Sequence, residues 1–176
     1  KELSFNNLRD MDLCWKVVNE FKDEMACCAV KHSTPCGVAI GNTALETYAK
    51  TFECDPVSIF GGIIGMNYKV DAATAEELNK TFLEIVMAID FEEEALEILR
   101  KKKNLRIIKI KNPVSDKQTW VKIDGGILVQ DVDDQFSTDF KVVTETQPTE
   151  EQKKALLFSQ RVVKYVKSNA IVVSNG

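Results

Sequence analysis

The residues most able to carry chemistry lie in one short stretch, V-K-H-S-T-P-C-G, which runs from Val30 to Gly37. It contains His32, the only histidine among the 176 residues, and Lys31 precedes it directly. An imidazole exchanges protons near neutral pH, and a neighbouring ammonium group stabilises negative charge that develops in a reaction. Three interpretations stay open at this level: a surface pair without a role, a metal site, or a proton-handling pair.

A metal site would use His32 together with Cys36. Zinc deaminases have a glutamate two residues after the histidine and a second cysteine in a P-C-x-x-C motif. Here Thr34 takes the place of the glutamate, and Ala39 takes the place of the second cysteine. Two elements of the signature fail, and we expect no metal.

Two further patterns favour ordinary structural explanations. The segment G-G-I-I-G from Gly61 to Gly65 lacks the G-x-G-x-x-G spacing of a dinucleotide site, and indicates a strand in which backbone or a flat ligand comes close. The basic run from Arg100 to Lys103 ends a predicted helix, where cations are favourable. An anion site is the alternative interpretation of that run.

The predicted elements alternate between strand and helix. A helical stripe begins near Leu8 with Asn6 or Asn7 as its cap, and the segment from Lys31 to Gly37 is predicted as a loop because it contains proline and glycine. Strands are predicted at 25–30, 58–66, 82–88 and 105–110, and helices at 43–53, 71–80 and 92–102. This order predicts an α/β sheet with helices on both faces, and places the lysine–histidine pair at the carboxyl end of a strand, where ligands gather in open sheets.

The second part of the chain predicts the opening of another α/β unit. Two short β segments flank Asp124-Gly125-Gly126, a capping box at Thr149 opens a helix to about Lys167, and 171–174 is predicted as a strand that leads into a turn. Because the return strand is missing and Lys1 is not methionine, we expect this chain to be part of a longer one.

Composition narrows the class of protein. The hydrophobic fraction is 44%, the charged fraction 28% and the net charge −4, which is typical of a soluble globular protein and argues against broad nucleic-acid binding. No apolar run approaches the ~20 residues that span a bilayer, and no secretion signal opens the chain. The five cysteines are odd in number and lack a C-x-x-C motif, which favours reduced thiols in the cytoplasm.

Several motifs together resemble one known family, in the same order and spacing from about Glu2 to Gly176. They are V-K-H-S-T-P-C-G-V-A-I-G, D-P-V-S-I-F-G-G-I-I, F-E-E-E-A-L-E-I-L-R-K-K-K-N-L-R, G-G-I-L-V-Q-D and V-K-Y-V-K-S-N-A-I-V-V. The chain resembles the transformylase half of the bifunctional purine-biosynthesis enzymes, which join aminoimidazole carboxamide ribonucleotide (AICAR) formyltransferase to inosine monophosphate (IMP) cyclohydrolase.

The resemblance implies roles for individual residues. In this family a formyl group moves from 10-formyltetrahydrofolate to the 5-amino group of AICAR. His32 matches the base that takes the amine proton, and Lys31 matches the residue that stabilises the transition state and helps to protonate the leaving folate nitrogen. The matching substrate-side residues are Asn7, Phe60, Gly61, Lys103 and Asn169. Glu84 matches an acidic residue near the folate, although Ile89 replaces a proline that is common nearby.

The resemblance also implies an architecture and an assembly. The family has two lobes with cytidine-deaminase-like α/β/α layers, so residues 1–124 would form the first lobe and 125–176 the connection and the start of the second. The cyclohydrolase domain would precede Lys1, and the isolated segment would be inactive. A homodimer with shared active sites and a structural potassium ion belong to the same implied picture. The alternatives from the residues alone are a zinc-dependent deaminase-like enzyme and a non-catalytic lobe.

Overall fold

The structure is a computed structural model that describes residues 2–111, 114 and 116–175. It contains, in chain order, α1 (Phe5–Asn19), β1 (Met25–Lys31), β2 (Thr34–Gly41), α2 (Ala44–Cys54), β3 (Ile63–Val70), α3 (Ala72–Asn79), β4 (Ile85–Phe91), α4 (Glu93–Arg100), β5 (Arg106–Lys109), β6 (Gln118–Ile123), β7 (Gly126–Asp131) and α5 (Glu150–Val163). These elements form two compact units, Lys1–Asn112 and Pro113–Gly176, and each is described by itself.

The first unit is built on a mixed five-stranded sheet. Its strand order is β2-β1-β3-β4-β5. Strand β1 is antiparallel to both β2 and β3, whereas β3, β4 and β5 are mutually parallel. The predicted α/β class is therefore confirmed, with the difference that one strand, β1, runs antiparallel to the other four.

Helices cover both faces of this sheet. On one face, buried residues of the strands pack with α2, α3 and α4 in a single core that includes Tyr48, Leu78 and Leu99. On the opposite face lies α1, which approaches so closely that a Cβ on Gly65 would come within 2.6 Å of Cys14 Sγ. Side chains alternate between the two faces along each strand, so both sides of the central strands are buried. The predicted layering is confirmed.

Most helix starts follow local capping chemistry. The side chains of Thr43, Asp71 and Thr149 accept hydrogen bonds from the backbone three residues on, as the sequence predicts. The predicted cap of α1 at Asn6 or Asn7 is wrong, because Ser4 is the N-cap. Asn7 is instead the third helical residue, and its side-chain oxygen accepts a hydrogen bond from the backbone N–H of Ser4.

The segment after β1 is a tight hairpin and not the predicted loop. Only His32 and Ser33 form the turn, and β2 starts at Thr34. Pro35 is tolerated because β2 is the edge strand of the sheet, where a missing N–H costs no ladder hydrogen bond. The consecutive β1 residues Ala29 and Val30 pair with Gly37 and Pro35, so Cys36 is the extra residue of a bulge in β2.

The second unit contains the β6–β7 hairpin and α5. The predicted β segments around Asp124 are confirmed, and the predicted lobe boundary between Asp124 and Gly125 lies in the turn of this hairpin. The division into lobes stays a prediction. The predicted strand at 171–174 is wrong, because those residues pair with no strand of the described chain, and Gly176 of the predicted turn lies outside the described residues.

Among the helices of the described residues, none combines the length and apolarity that a membrane crossing requires.

Candidate active site

The β1–β2 hairpin presents the lysine–histidine pair at its tip. Lys31 is the last residue of β1, and His32 is exposed in the turn. Both turn residues have positive φ, 52° at His32 and 57° at Ser33, as a two-residue I′ hairpin turn requires. Such angles cost a non-glycine residue roughly 1–3 kcal/mol, so surrounding contacts must hold the turn.

One of these contacts comes from α1. Oδ1 of Asp10 accepts the backbone N–H of Ser33 at 2.8 Å and the Ser33 hydroxyl at 2.9 Å. Hydrogen bonds to an ionised acceptor are shorter and stronger than neutral ones. The helix on one face of the sheet therefore fixes the turn that carries His32.

Lys31 is fixed from the other side. Its Nζ donates to the backbone carbonyl of Phe60 at 2.6 Å. The next residue, Gly61, has a φ of 69°, and a Cβ there would lie 2.9 Å from Lys31 Nζ. Gly61 therefore serves backbone geometry in the left-handed region and leaves room for the ammonium group. Because a positive φ strains any L-residue, a side chain at Gly61 should cost stability.

The site lies at the amino ends of the parallel strands. Val30 of β1 pairs with Ile63, Ile63 with Ile85, and Ile85 with Arg106, and the last three are the first residues of β3, β4 and β5. Because β1 runs in the opposite direction, its carboxyl end meets their starts. The prediction that the pair lies at the carboxyl end of a buried strand is confirmed, and in this mixed sheet that end lies beside the amino ends of the parallel strands.

Two aromatic rings lie beside the lysine. The rings of Phe60 and Phe82 are 5.4 Å apart between centroids and tilted by 48°. Phe60 is 60% exposed and Phe82 47%, so a large part of each ring faces solvent. The backbone also joins their segments, because Gly61 N–H donates to the Phe82 carbonyl at 2.7 Å. These rings offer an apolar surface next to the charged pair.

A polar cluster completes this edge of the sheet. Asn7 Nδ2 donates to Glu84 Oε2 at 3.0 Å, and Arg106 Nη1 lies 3.8 Å from the same oxygen. Arg106 also donates through its side chain to the backbone carbonyl of Glu2. Its side chain is only 10% exposed, so the guanidinium group is mostly withdrawn from water. The Glu84 carboxylate is thereby held by one hydrogen bond from Asn7 and by an ion pair with Arg106.

Among the residues that the structure describes, the predicted Lys103 makes no hydrogen bond or ion pair with this cluster. Lys103 is exposed in the turn between α4 and β5, whereas the adjacent Lys102 donates to the Thr81 carbonyl at 2.5 Å, next to Phe82. Burial lowers the pKa of Lys102 below its usual value. Asn169 is exposed and belongs to the second unit. The roles expected for Lys103 and Asn169 stay predictions.

Cys36 lies in β2 close to the hairpin, and its Sγ donates to the Ala29 carbonyl at 3.5 Å. Burial, together with the charge of Asp55, raises the pKa of this thiol to about 11. A thiol that resists ionisation is a poor metal ligand at neutral pH. In the described part of the chain, no three His, Cys, Asp or Glu side chains are grouped so that they could hold a metal ion.

Sequence reasoning missed Asp10, Ser33, Phe82 and Arg106. Asp10 follows Asn7 by three residues, which places both on one helix face, so this spacing was an available signal. The other three come from segments whose neighbours depend on the strand order. Their contribution could be recognised only from the tertiary structure.

Taken together, this edge of the sheet holds an exposed imidazole, an ammonium group, an aromatic surface and a carboxylate that is hydrogen-bonded to an amide and paired with a guanidinium group. Such a set can take a proton from a bound nucleophile and balance negative charge beside it. These features define an α/β protein with a candidate acid–base site at a hairpin tip.

The comparisons with known proteins agree with this class and narrow it. A sequence model of the family described as "AICARFT/IMPCHase bienzyme" matches residues 1–176, and the chain belongs to that family. It is 61% identical over 173 residues to the "Bifunctional purine biosynthesis protein PurH" of Clostridium botulinum (strain Hall), and 62% over 176 residues to the protein of the same name from Brachyspira hyodysenteriae. The match covers 98% of this chain in each case, and the chain spans 34% and 35% of these two relatives.

Two solved structures that match the chain are distant from it in sequence. RibD of Acinetobacter baumannii is 14% identical with a TM-score of 0.48, over 57% of this chain and 35% of that one. A dCMP deaminase of the cyanophage S-TIM5 is 8% identical with a TM-score of 0.46, over 61% of this chain and 100% of that one.

Proposed function

We propose that this chain supplies part of the AICAR formyltransferase site of a bifunctional purine-biosynthesis protein, and that Lys31 and His32 are its catalytic pair. The observation that carries the proposal is the position of this pair at the tip of a hairpin that is hydrogen-bonded to α1, with Lys31 bonded to the Phe60 carbonyl. The family membership and the name of the relatives support a role in purine biosynthesis.

In the proposed reaction, the 5-amino group of AICAR attacks the formyl carbon of 10-formyltetrahydrofolate. His32 takes the proton of the amine as the new C–N bond forms. The bond from the formyl carbon to folate N10 then breaks, and tetrahydrofolate leaves with a proton. Lys31 balances the negative charge on the formyl oxygen and assists protonation of the leaving nitrogen.

The surrounding residues have supporting roles in this proposal. The ring of Phe60 and the backbone of Gly61 form the surface for the flat aminoimidazole, and Asn7 contributes from the nucleotide side. Lys103 and Asn169 are proposed to contact the phosphate and the carboxamide. Glu84 is the acidic residue on the folate side, held in place by Asn7 and Arg106.

The proposal extends to the parent protein. It would also carry IMP cyclohydrolase activity, act in the cytoplasm as a homodimer with shared active sites, and bind neither nucleic acid nor membrane. Since the chain spans about a third of its relatives, the isolated 176-residue segment is proposed to be inactive. The resemblance to the family also implies a structural potassium ion in the full-length protein. No step of the proposed reaction is assigned to a metal.

The decisive experiment is a pair of His32 variants in a full-length protein that carries this segment. Asparagine tolerates the positive φ of this turn, so His32→Asn removes the base while keeping the hairpin. We expect kcat to fall by about 10²–10⁴-fold, as for other general bases, with a smaller change in nucleotide affinity. His32→Ala should show the same loss of kcat together with lower stability. A near-normal rate for His32→Asn would remove this histidine from the mechanism.

A further inference from the structure

Asp10 makes two hydrogen bonds, and both go to the residue after the proposed base. Its Oδ1 accepts the N–H and the hydroxyl of Ser33, at 2.8 and 2.9 Å. These bonds are partly buried and join residues 23 positions apart, so they connect α1 to the hairpin and do not cap the helix. None of the sequence motifs that indicate the family includes Asp10.

Ser33 N–H belongs to the peptide group that follows His32. The peptide bond is planar, so holding this N–H fixes the orientation of the whole group and with it the ψ angle of His32. The preceding residue, Lys31, is held through its own side chain at the Phe60 carbonyl. His32 is therefore fixed from both sides, although its own φ of 52° is unfavourable for a residue with a side chain.

We propose that Asp10 is a positioning residue for His32: it holds the hairpin turn in the left-handed conformation that aims the imidazole at the reacting amine. The inference rests on the proposed function, because the consequence of positioning is measured as formyl transfer. Asp10 acts through the backbone of Ser33 and does not touch the substrate.

A small displacement of a reacting group lowers the rate of the chemical step more than it lowers the affinity for the substrate. A shift of about 1 Å at a reacting group can reduce the rate by about 10²-fold, whereas the substrate keeps its other contacts. Loss of Asp10 should therefore lower kcat and leave the KM for AICAR much less changed. A residue that only supports the fold would lower the amount of active protein and leave the kcat of the folded fraction unchanged.

The test uses three variants in a full-length protein that carries this segment. Asp10→Ala removes both hydrogen bonds, and we expect kcat to fall by about 10- to 100-fold. Asp10→Asn keeps an acceptor oxygen of the same reach and should restore most of the rate. The matched control is Asp12→Ala on the same helix, whose carboxylate is exposed and pairs with Lys16 at 2.8 Å, and its kcat should be unchanged.

Hydrogen exchange of the Ser33 amide gives an independent readout in the same proteins. Exchange should be faster in Asp10→Ala than in the parent, and slow again in Asp10→Asn. If Asp10→Ala does not fold, Ser33→Ala replaces it: that variant loses the hydroxyl bond and keeps the N–H bond, so kcat should fall by less than 10-fold with the amide still protected. A full loss of rate in Ser33→Ala would contradict an action through the backbone.

The outcomes separate this inference from the proposed function. Unchanged kcat in Asp10→Ala, in a protein whose His32→Asn variant is inactive, would overturn the positioning role and leave the function standing. Near-normal turnover of His32→Asn would overturn the function, and with it any catalytic consequence of Asp10. An equally low rate for Asp10→Asn and Asp10→Ala would also overturn the inference, because the geometry of the acceptor would then not be what matters.

Discussion

The side-chain amide of Asn7 joins the first turn of α1 to the residue that precedes β4. Its Nδ2 donates to Glu84 Oε2 at 3.0 Å, while its Oδ1 accepts the Ser4 N–H at 3.1 Å. One side chain thus closes a capping box and holds the carboxylate of the candidate site. The same helix supplies Asp10 three residues later, so its amino-terminal half is tied to the site at two points.

The Asn7–Glu84 hydrogen bond can be tested with substitutions that exchange its donor and its acceptor. Asn7→Asp keeps the acceptor for Ser4 but brings a second carboxylate next to Glu84, so the free energy of unfolding should fall by about 1–3 kcal/mol. Adding Glu84→Gln gives the aspartate an amide donor, and the double variant should be more stable than Asn7→Asp alone. Chemical denaturation of the two single variants and the double variant measures this coupling. Strictly additive changes would show that the two side chains do not interact.

Two substitutions of Lys31 test whether this side chain acts only as a fixed positive charge or also donates a proton. Lys31→Met keeps an aliphatic stem and loses the charge, so turnover in the full-length protein should fall sharply. Lys31→Arg keeps the charge but releases no proton near neutral pH, and its planar group does not match the contact of Nζ with the Phe60 carbonyl. If arginine retains much of the rate, the charge is sufficient; if it fails like methionine, the charge alone is not sufficient. Wild-type rates in both variants would exclude both roles. The control is Lys50→Met, because Lys50 is exposed and remote from Lys31 in the sequence.

Gly61→Ala should destabilise the protein by about 1–2 kcal/mol, because the left-handed conformation is unfavourable for an L-residue. The new methyl group would also lie 2.9 Å from Lys31 Nζ and displace it, so nucleotide affinity should fall as well. Gly125→Ala is the matched control, since its φ is 80° and nothing lies within 4 Å of its Cβ position. The Gly125→Ala variant should lose stability through the same backbone strain, but its nucleotide affinity should not change. Equal affinities for the two variants would mean that Gly61 serves the turn alone.

The thiol of Cys36 should react slowly with alkylating reagents at neutral pH. With a pKa of about 11, only about one molecule in a thousand is thiolate at pH 8, and that fraction rises roughly tenfold for each pH unit up to the pKa. A Cys54→Ser variant makes Cys36 the one cysteine that is not fully buried. The rate of alkylation in that variant should still be rising at pH 10. A plateau reached by pH 9 would show that burial does not suppress ionisation of this thiol.

The purified protein should contain no stoichiometric zinc. The described residues offer no three grouped ligands, and Cys36 resists the deprotonation that zinc binding requires. Elemental analysis of the protein checks this directly. About one zinc per chain, lost in Cys36→Ser, would favour the deaminase-like alternative.

The sequence by itself determined several of the local elements and the candidate pair. Thr43, Asp71 and Thr149 could be recognised as caps because a cap acts over three residues, and β1 because its apolar residues are contiguous. The motifs around Lys31 and His32 sufficed to indicate the family, since a family resemblance depends on residue order alone.

Only the tertiary structure decided how these pieces meet. The direction of β1 against β3 and the strand order are set by long-range packing, and they moved the site to the amino ends of the parallel strands. The His32–Ser33 turn lacks the Asn-Gly signal of a hairpin, so it reads as a loop until Asp10 is seen to hold it. Contacts such as Asn7 with Glu84 join residues 77 positions apart, and no local pattern encodes a contact across that separation.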